Sequence, residues 1–247
     1  MLFRYLNLLI LLSVLILTSF SVKSENKKPD NSVKNSTSSQ IPIDCPLRKK
    51  GVDVDHKKPF EDAEKYIAFL EREDRMKWQR PDAIIEELDL KGDEIIADVG
   101  AGSGYFSFRF ASMLPKGKVY AIDIEPEMIR YIHHKAMIND IKNIEAILAE
   151  ADDPKVPGDS DIVFICDVLH HVENKPLWLK MVHNQMQKGA RLILIEFKEG
   201  ELPEGPPEKI KISQNEIIKV VINRGFTKIS ADNKLLPYQT FFVFKKQ

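Results

Sequence analysis

The chain has 247 residues, 43% apolar and 30% charged, a balance that fits one globular domain with additional segments and excludes a disordered or fibrous chain. Its 36 Lys and Arg against 37 Asp and Glu give a formal net charge of −1, which argues against a broad nucleic-acid footprint, because phosphate binding leaves a basic surplus. The expected partner is a small molecule.

Residues 1–24 read as a targeting segment. Arg4 lies in a short basic start, an apolar run extends from Leu8 to Phe20, and Val22 and Ser24 stand where a signal peptidase requires small residues. The segment is either a signal peptide cleaved after about Ser24 or an uncleaved membrane anchor, although the run is short for the ~20 residues of a spanning helix. In both cases the remainder is expected to be exported, periplasmic or tethered facing outside the cytoplasm. Residues 25–43 are polar and rich in Ser, Asn and Lys, and read as a disordered linker. Residues 44–80 read as a separate N-terminal helix segment, in which 61–74 interleaves charge with Ala63, Ile67 and Leu70 as an amphipathic helix does.

From residue 81 onward strands and helices alternate. Strands are predicted at 94–99, 118–124, 144–149, 161–166, 191–197, 226–231 and 239–245, and helices at 81–90, 104–114, 126–138, 176–187 and 213–223. Several strands are unbroken apolar runs, as in parallel strands covered on both faces. Pro81 and Pro126 open two helices and Gly189 closes another. The alternation predicts a doubly wound α/β sheet.

The strongest local signal is "ADVGAGSG" at 97–104. A strand ends at Asp98 and Val99, and Gly100, Gly102 and Gly104 follow before an aromatic helix. In open α/β sheets ligands bind outside the carboxyl ends of the strands, where glycines let the backbone approach them. The spacing is not G-x-G-x-x-G, because Tyr105 stands in the place of the third fingerprint glycine, which disfavours a dehydrogenase. Asp123 ends the next strand in "AIDIEPEM", where an acid can take both hydroxyls of a ribose.

With these residues the chain resembles the class I S-adenosylmethionine-dependent methyltransferases over residues 78–245: "ADVGAGSG" matches that family's first motif, "AIDIEPEM" its acidic ribose loop, "LAEADDPKVP" the segment after its third strand and "IVFICDVLHHVEN" its fourth-strand motif. The resemblance implies a Rossmann-like seven-stranded sheet of order 3-2-1-4-5-7-6 with the last strand antiparallel, in a domain spanning 81–247, and it makes the N-terminal segment 44–80 a lid. It implies S-adenosylmethionine as cofactor and S-adenosylhomocysteine as product. It also implies that Asp98, Gly100, Ala101, Gly102, Gly104 and Tyr105 line the methionine and ribose portion. Asp123 would bind the ribose hydroxyls, Ile124 would lie against the adenine, and Asp152 or its neighbours Glu150 and Asp153 would stand near the adenine amino group. A narrower resemblance, to a bacterial group of exported methyltransferase-like proteins, places Arg75, Trp78 and Gln79 beside the cofactor as part of a lid; alternatively Trp78 is a buried anchor.

The mechanism implied is alignment of an acceptor lone pair with the cofactor's methyl group in a water-free site. His170 or His171, just after the fourth strand, is the candidate general base, His170 first; the alternative is a packing histidine that hydrogen-bonds backbone. Asp167 is placed to meet the cofactor's ammonium or ribose, or to cap the next helix. "CDVLHH" lacks the pattern of base amino-group methylators, which lowers a nucleic-acid acceptor further. Cys45 and Cys166 either bridge in an oxidising compartment or remain free. His133 and His134 are adjacent on a helix and so form a poor metal pair; no metal is expected. The long loop at 199–211 either covers the acceptor or is a rigid surface connection. A small-molecule methyltransferase is the favoured reading, and a non-catalytic ligand- or protein-binding module on the same fold is the alternative.

Overall fold

In a computed structural model of the protein the described residues are 60–247. The leader, the linker, Cys45 and the first part of the lid segment lie outside them. The N-terminal segment is split by its own chemistry. Helix α1 (Phe60–Leu70) is followed by a short α2 (Arg75–Gln79) and by α3 (Pro81–Glu87). The predicted single helix over 61–74 therefore stops early, at Leu70. Between α2 and α3, Arg80 takes a left-handed backbone (φ +47), because the ring of Pro81 disfavours a right-handed helical conformation in the residue before it.

Seven strands follow with the intervening helices: β1 (Ile95–Val99), α4 (Ser107–Met113), β2 (Lys118–Asp123), α5 (Pro126–Ile138), β3 (Ile144–Leu148), β4 (Ile162–Cys166), α6 (Lys175–Gln185), β5 (Arg191–Phe197), α7 (Gln214–Ile222), β6 (Phe226–Asp232) and β7 (Gln239–Lys246). They form one sheet of order β3-β2-β1-β4-β5-β7-β6. β1 pairs in parallel with β2 and β4, and β7 is antiparallel to both β5 and β6. This is the order and polarity that the resemblance implied.

The strands alternate their side chains between two buried faces. Ile96, Val119, Phe164 and Ile193 pack with Ile84 of α3, with Leu88 just after it and with Phe110 of α4. Ala97, Val163 and Leu192 pack on the other face with Trp178, Leu179 and Val182 of α6 and with Ile217 and Val221 of α7. Burial on both faces explains the unbroken apolar runs. Ala121 and Ala146 leave room for Ile129 and Ile132 of α5. Helix α4 starts at Ser107, three residues later than predicted, because Gly100, Gly102 and Gly104 all have positive φ (+76, +55 and +76) and hold the chain in a turn until it has passed them.

Candidate functional site

The glycine turn lies where β1 and β2 end. The amides of Gly100 and Ala101 donate to the carbonyl of Ile122 at 2.8 and 2.9 Å, which fastens the turn to β2. The amide of Gly102 donates to Asp123 Oδ2 at 2.7 Å, and Glu125 N donates to Asp123 Oδ1 at 2.9 Å. Burial pushes the Asp123 carboxyl up and these backbone donors oppose it. Each oxygen still has lone-pair capacity for a hydroxyl.

Above this turn is a groove of about 360 Å³, within the range of small-ligand sites. Gly100 forms its floor, Asp123 and Ile124 one wall, and Ala149 to Asp152 another; Val168, His171, Leu177 and Trp178 close the far side. A larger groove of about 980 Å³, at the amino ends of β4 and β5, is lined by charged groups such as Asp161 and Arg191 and lies at the opposite end of the sheet from the turn. The smaller groove is the one that the fold's ligand geometry selects.

Beyond the groove, toward β5 and β7, polar groups converge under the lid. Asp167 has a left-handed backbone (φ +60), which is costly for a residue with a Cβ and clusters at functional sites. Gln239 Nε2 donates to its two oxygens at 2.6 and 2.8 Å, and Gln79 Nε2 donates to Oδ2 at 3.1 Å. Burial, reinforced by the charge of Glu196, raises the Asp167 carboxyl to about 6. Gln79 Nε2 also lies 3.0 Å from Cys166 Sγ, and burial keeps that thiol protonated by raising it well above its ordinary value. Asp98 is buried with its carboxylate accepting from Ser107 Oγ at 2.5 Å, and burial outweighs that bond to bring it to about 7.

The candidate residues divide into three sets. Gly100, Asp123, Ile124 and Asp152 line the open groove, as does Glu150. Asp98, Ala101 and Tyr105 lie buried beside it. The hydroxyl of Tyr105 donates to Met76 Sδ at 3.3 Å, and its ring carries the guanidinium of Arg75 at 3.9 Å, so it supports the lid. Gly102 and Gly104 shape the turn: a Cβ on Gly102 would lie 3.0 Å from Leu70 Cδ1, and one on Gly104 would lie 2.8 Å from Phe108. Asp153 does not line the groove; it accepts from Gln185 Nε2 at 2.6 Å and from Lys155 N at 3.1 Å, which ties the loop to α6. Asp167 is clamped by glutamines and does not cap a helix. His170 is buried with Nδ1 2.7 Å from Glu196 Oε2, while His171 faces the groove. Trp78 packs between Phe197 and Tyr238, at 5.7 and 6.4 Å. Sequence reasoning missed Gln239 and Trp178, which have no local signal because each reaches the site only through sheet order or helix packing; Val168, which lines the groove, stands in the quoted fourth-strand motif but was not singled out.

The profile of the methyltransferase-domain family matches residues 90–238. The chain belongs to the methyltransferase-domain family. Among curated members, the tRNA U34 carboxymethyltransferase of Desulfotalea psychrophila is 31% identical over 121 residues, covering 48% of this chain and 36% of that protein. The (S)-coclaurine N-methyltransferase of Thalictrum flavum subsp. glaucum is 22% identical over 109 residues, covering 44% of this chain and 30% of that one. The chain thus spans about a third of the length of these curated relatives. A solved structure of an S-adenosylmethionine-dependent methyltransferase from Aquifex aeolicus is 26% identical with a TM-score of 0.67, covering 74% of this chain and 97% of that one.

The groove has the chemistry that S-adenosylmethionine needs: a Cβ on Gly100 would collide with Val168 in its lining, and Asp123 keeps acceptor capacity beside the exposed apolar Ile124. The relatives give no support to the expectation that a nucleic-acid partner is unlikely, since the first of them acts on tRNA by its name.

Proposed function

We propose that this methyltransferase transfers the methyl group of S-adenosylmethionine to a small-molecule acceptor. The observation that carries the choice of acceptor is the charge balance of the chain, 36 Lys and Arg against 37 Asp and Glu. Such a balance lacks the basic surplus that binding a polyanion leaves. The second reading, a nucleic-acid acceptor, is favoured by the 31% identity to the tRNA U34 carboxymethyltransferase.

When bound, S-adenosylmethionine supplies a methyl group already activated on a sulfonium. The chain's tasks are then to bind, orient and exclude water. Asp123 takes the ribose hydroxyls, the glycine turn carries the ligand's backbone-facing side, and Ile124 and the 149–152 wall flank the adenine. His170 is the candidate group for the acceptor's proton: Glu196 fixes Nδ1, which leaves Nε2 for exchange, and such a base is needed only where the nucleophile is protic. We further propose that residues 1–24 direct the domain out of the cytoplasm; fractionation of the full chain with a C-terminal tag checks this, and recovery in the cytosol overturns it.

Calorimetry with S-adenosylmethionine is the first experiment. Asp123→Ala should weaken binding about tenfold or more, the scale of one hydrogen-bonding set to a charged group. Unchanged affinity in the variant would remove the assignment. A mass-spectrometric screen for methylated products, run with small-molecule pools and with tRNA, then separates the two acceptor readings.

A further inference from the structure

The groove is open over Ile124 and Leu177, both about half exposed, but roofed at the glycine end. Leu70, at the end of α1, presses on Gly102, with Cδ1 3.0 Å from the position a Cβ there would take. Burial, and after it the charge of Asp123, raise the hydroxyl of Tyr66, one turn earlier, above its ordinary value. Arg75 donates to the carbonyl of Leu70 at 2.7 Å and stacks on Tyr105, and Gln79 reaches Asp167. A ligand lying across the turn from Asp123 to Asp167 passes beneath these residues.

Two ion pairs fasten this roof from opposite sides. Glu71 pairs with Lys135 of α5 at 3.1 Å. Arg72 pairs with Glu204, in the loop after β5, and its guanidinium also lies over the rings of Phe69 (4.3 Å) and Trp78 (5.6 Å). Next to Glu204, Gly205 has φ +118 and packs so closely on Phe197 that a Cβ would lie 2.5 Å from the ring, which seats the loop on the end of β5. Trp78 rests on the same Phe197 and leaves its indole N–H buried without a partner. Both pairs are partly exposed, and ion pairs of that kind are individually weak. Segments held by a few such contacts open locally at low cost.

We propose that the Arg72–Glu204 pair latches residues 60–80 to the 199–211 loop, so that the two segments open and close together. The proposal rests on the methyltransferase reading for the identity of the ligand alone; the coupling of lid to loop stands without it. Arg72 and Glu204 act as positioning residues, and Lys135 holds the lid without reaching the loop.

The test is hydrogen–deuterium exchange on the full chain, without ligand and with S-adenosylhomocysteine. Without ligand, Glu204→Gln is expected to raise exchange at least threefold in both 60–80 and 199–211. Lys135→Gln is expected to raise it in 60–80 only. With S-adenosylhomocysteine, exchange in both segments is expected to fall in the wild-type protein, and release, followed by the fluorescence of Trp178 in the groove wall, is expected to be threefold to tenfold faster in Glu204→Gln. Exchange in 60–80 that Glu204→Gln leaves unchanged overturns the coupling. If S-adenosylhomocysteine does not bind the wild type, the cofactor reading fails and the ligand-free measurement still decides the latch.

Discussion

At Gly100 two constraints coincide. Its φ of +76 lies in the left-handed region, and an added Cβ would come within 2.2 Å of Val168 Cγ2. The backbone term costs about 1–2 kcal/mol for a residue with a side chain, and forcing an overlap in packed surroundings adds ~1–3 kcal/mol. Gly100→Ala is therefore expected to lower stability by about 2–5 kcal/mol and to abolish S-adenosylhomocysteine binding. Adding Val168→Ala should recover part of the stability, because it removes the overlap but not the strain. A double variant no more stable than the single one would show that Val168 is not the obstacle. Another residue-scale prediction concerns His170. Burial works against its charged form, yet the hydrogen bond and charge of Glu196 more than offset this and leave the imidazole raised above its ordinary value. Glu196→Gln removes the charge while keeping the shape, so His170 is expected to titrate below the ordinary histidine range. An NMR titration of the ring nitrogens reads this directly, and an unmoved titration would mean that Glu196 is not the dominant neighbour.

Among the elements, α6 forms part of the groove wall and α7 does not, although both begin on a side-chain cap. Asn174 Oδ1 accepts from Leu177 N at 3.1 Å, and Ser213 Oγ accepts from Glu216 N at 3.1 Å. Removing either cap costs about 1 kcal/mol. Asn174→Ala should also weaken S-adenosylhomocysteine binding, since Asn174, Leu177 and Trp178 line the groove, whereas Ser213→Ala should not. Equal affinities in the two variants would mean that the start of α6 does not shape the ligand site. The elements that were legible in the sequence are those whose signals are local. Strand β5 matches its predicted bounds because its apolar run is bounded by the turn at Gly189 and the polar loop from Lys198, and α5 matches because Pro126 fixes its first turn. The glycine turn and Asp123 were legible because the motif spans one strand, one turn and the next strand end. The Gln79–Asp167–Gln239 clamp was not, since its members are 88 and 72 residues apart and meet only through the β5–β7 pairing and the fold of the lid. The break at Arg80 and Pro81 was written in the proline, but a helix-spaced pattern over 61–74 concealed the earlier stop at Leu70.

For the whole molecule, the fold gathers buried acids at one end of the sheet. Asp98, Asp123 and Asp167 all stand above their ordinary values with burial as the first cause, and Arg75 is a cation acting on two of them from the lid. An acid raised in the folded state favours folding when protonated. Its contribution is fully present below the unfolded value near 4 and is lost as pH rises through the folded value, which for Asp98 is about 7. The protein therefore carries a stability penalty at neutral pH, located in its ligand site. Asp98→Asn keeps a polar partner for Ser107 but cannot ionise, so it should gain stability relative to the wild type as pH rises from about 4 to 7. The gain has an upper bound of about 4 kcal/mol, from roughly three pKa units at 1.4 kcal/mol each. Comparing the two proteins at each pH cancels the partly exposed histidines, His134, His171 and His183, whose lowered values act in the opposite direction. Urea unfolding at pH 5 and pH 8 makes the measurement. A stability difference that does not grow between those two values would mean that Asp98 is ionised at ordinary cost in the folded protein, and that the penalty lies elsewhere.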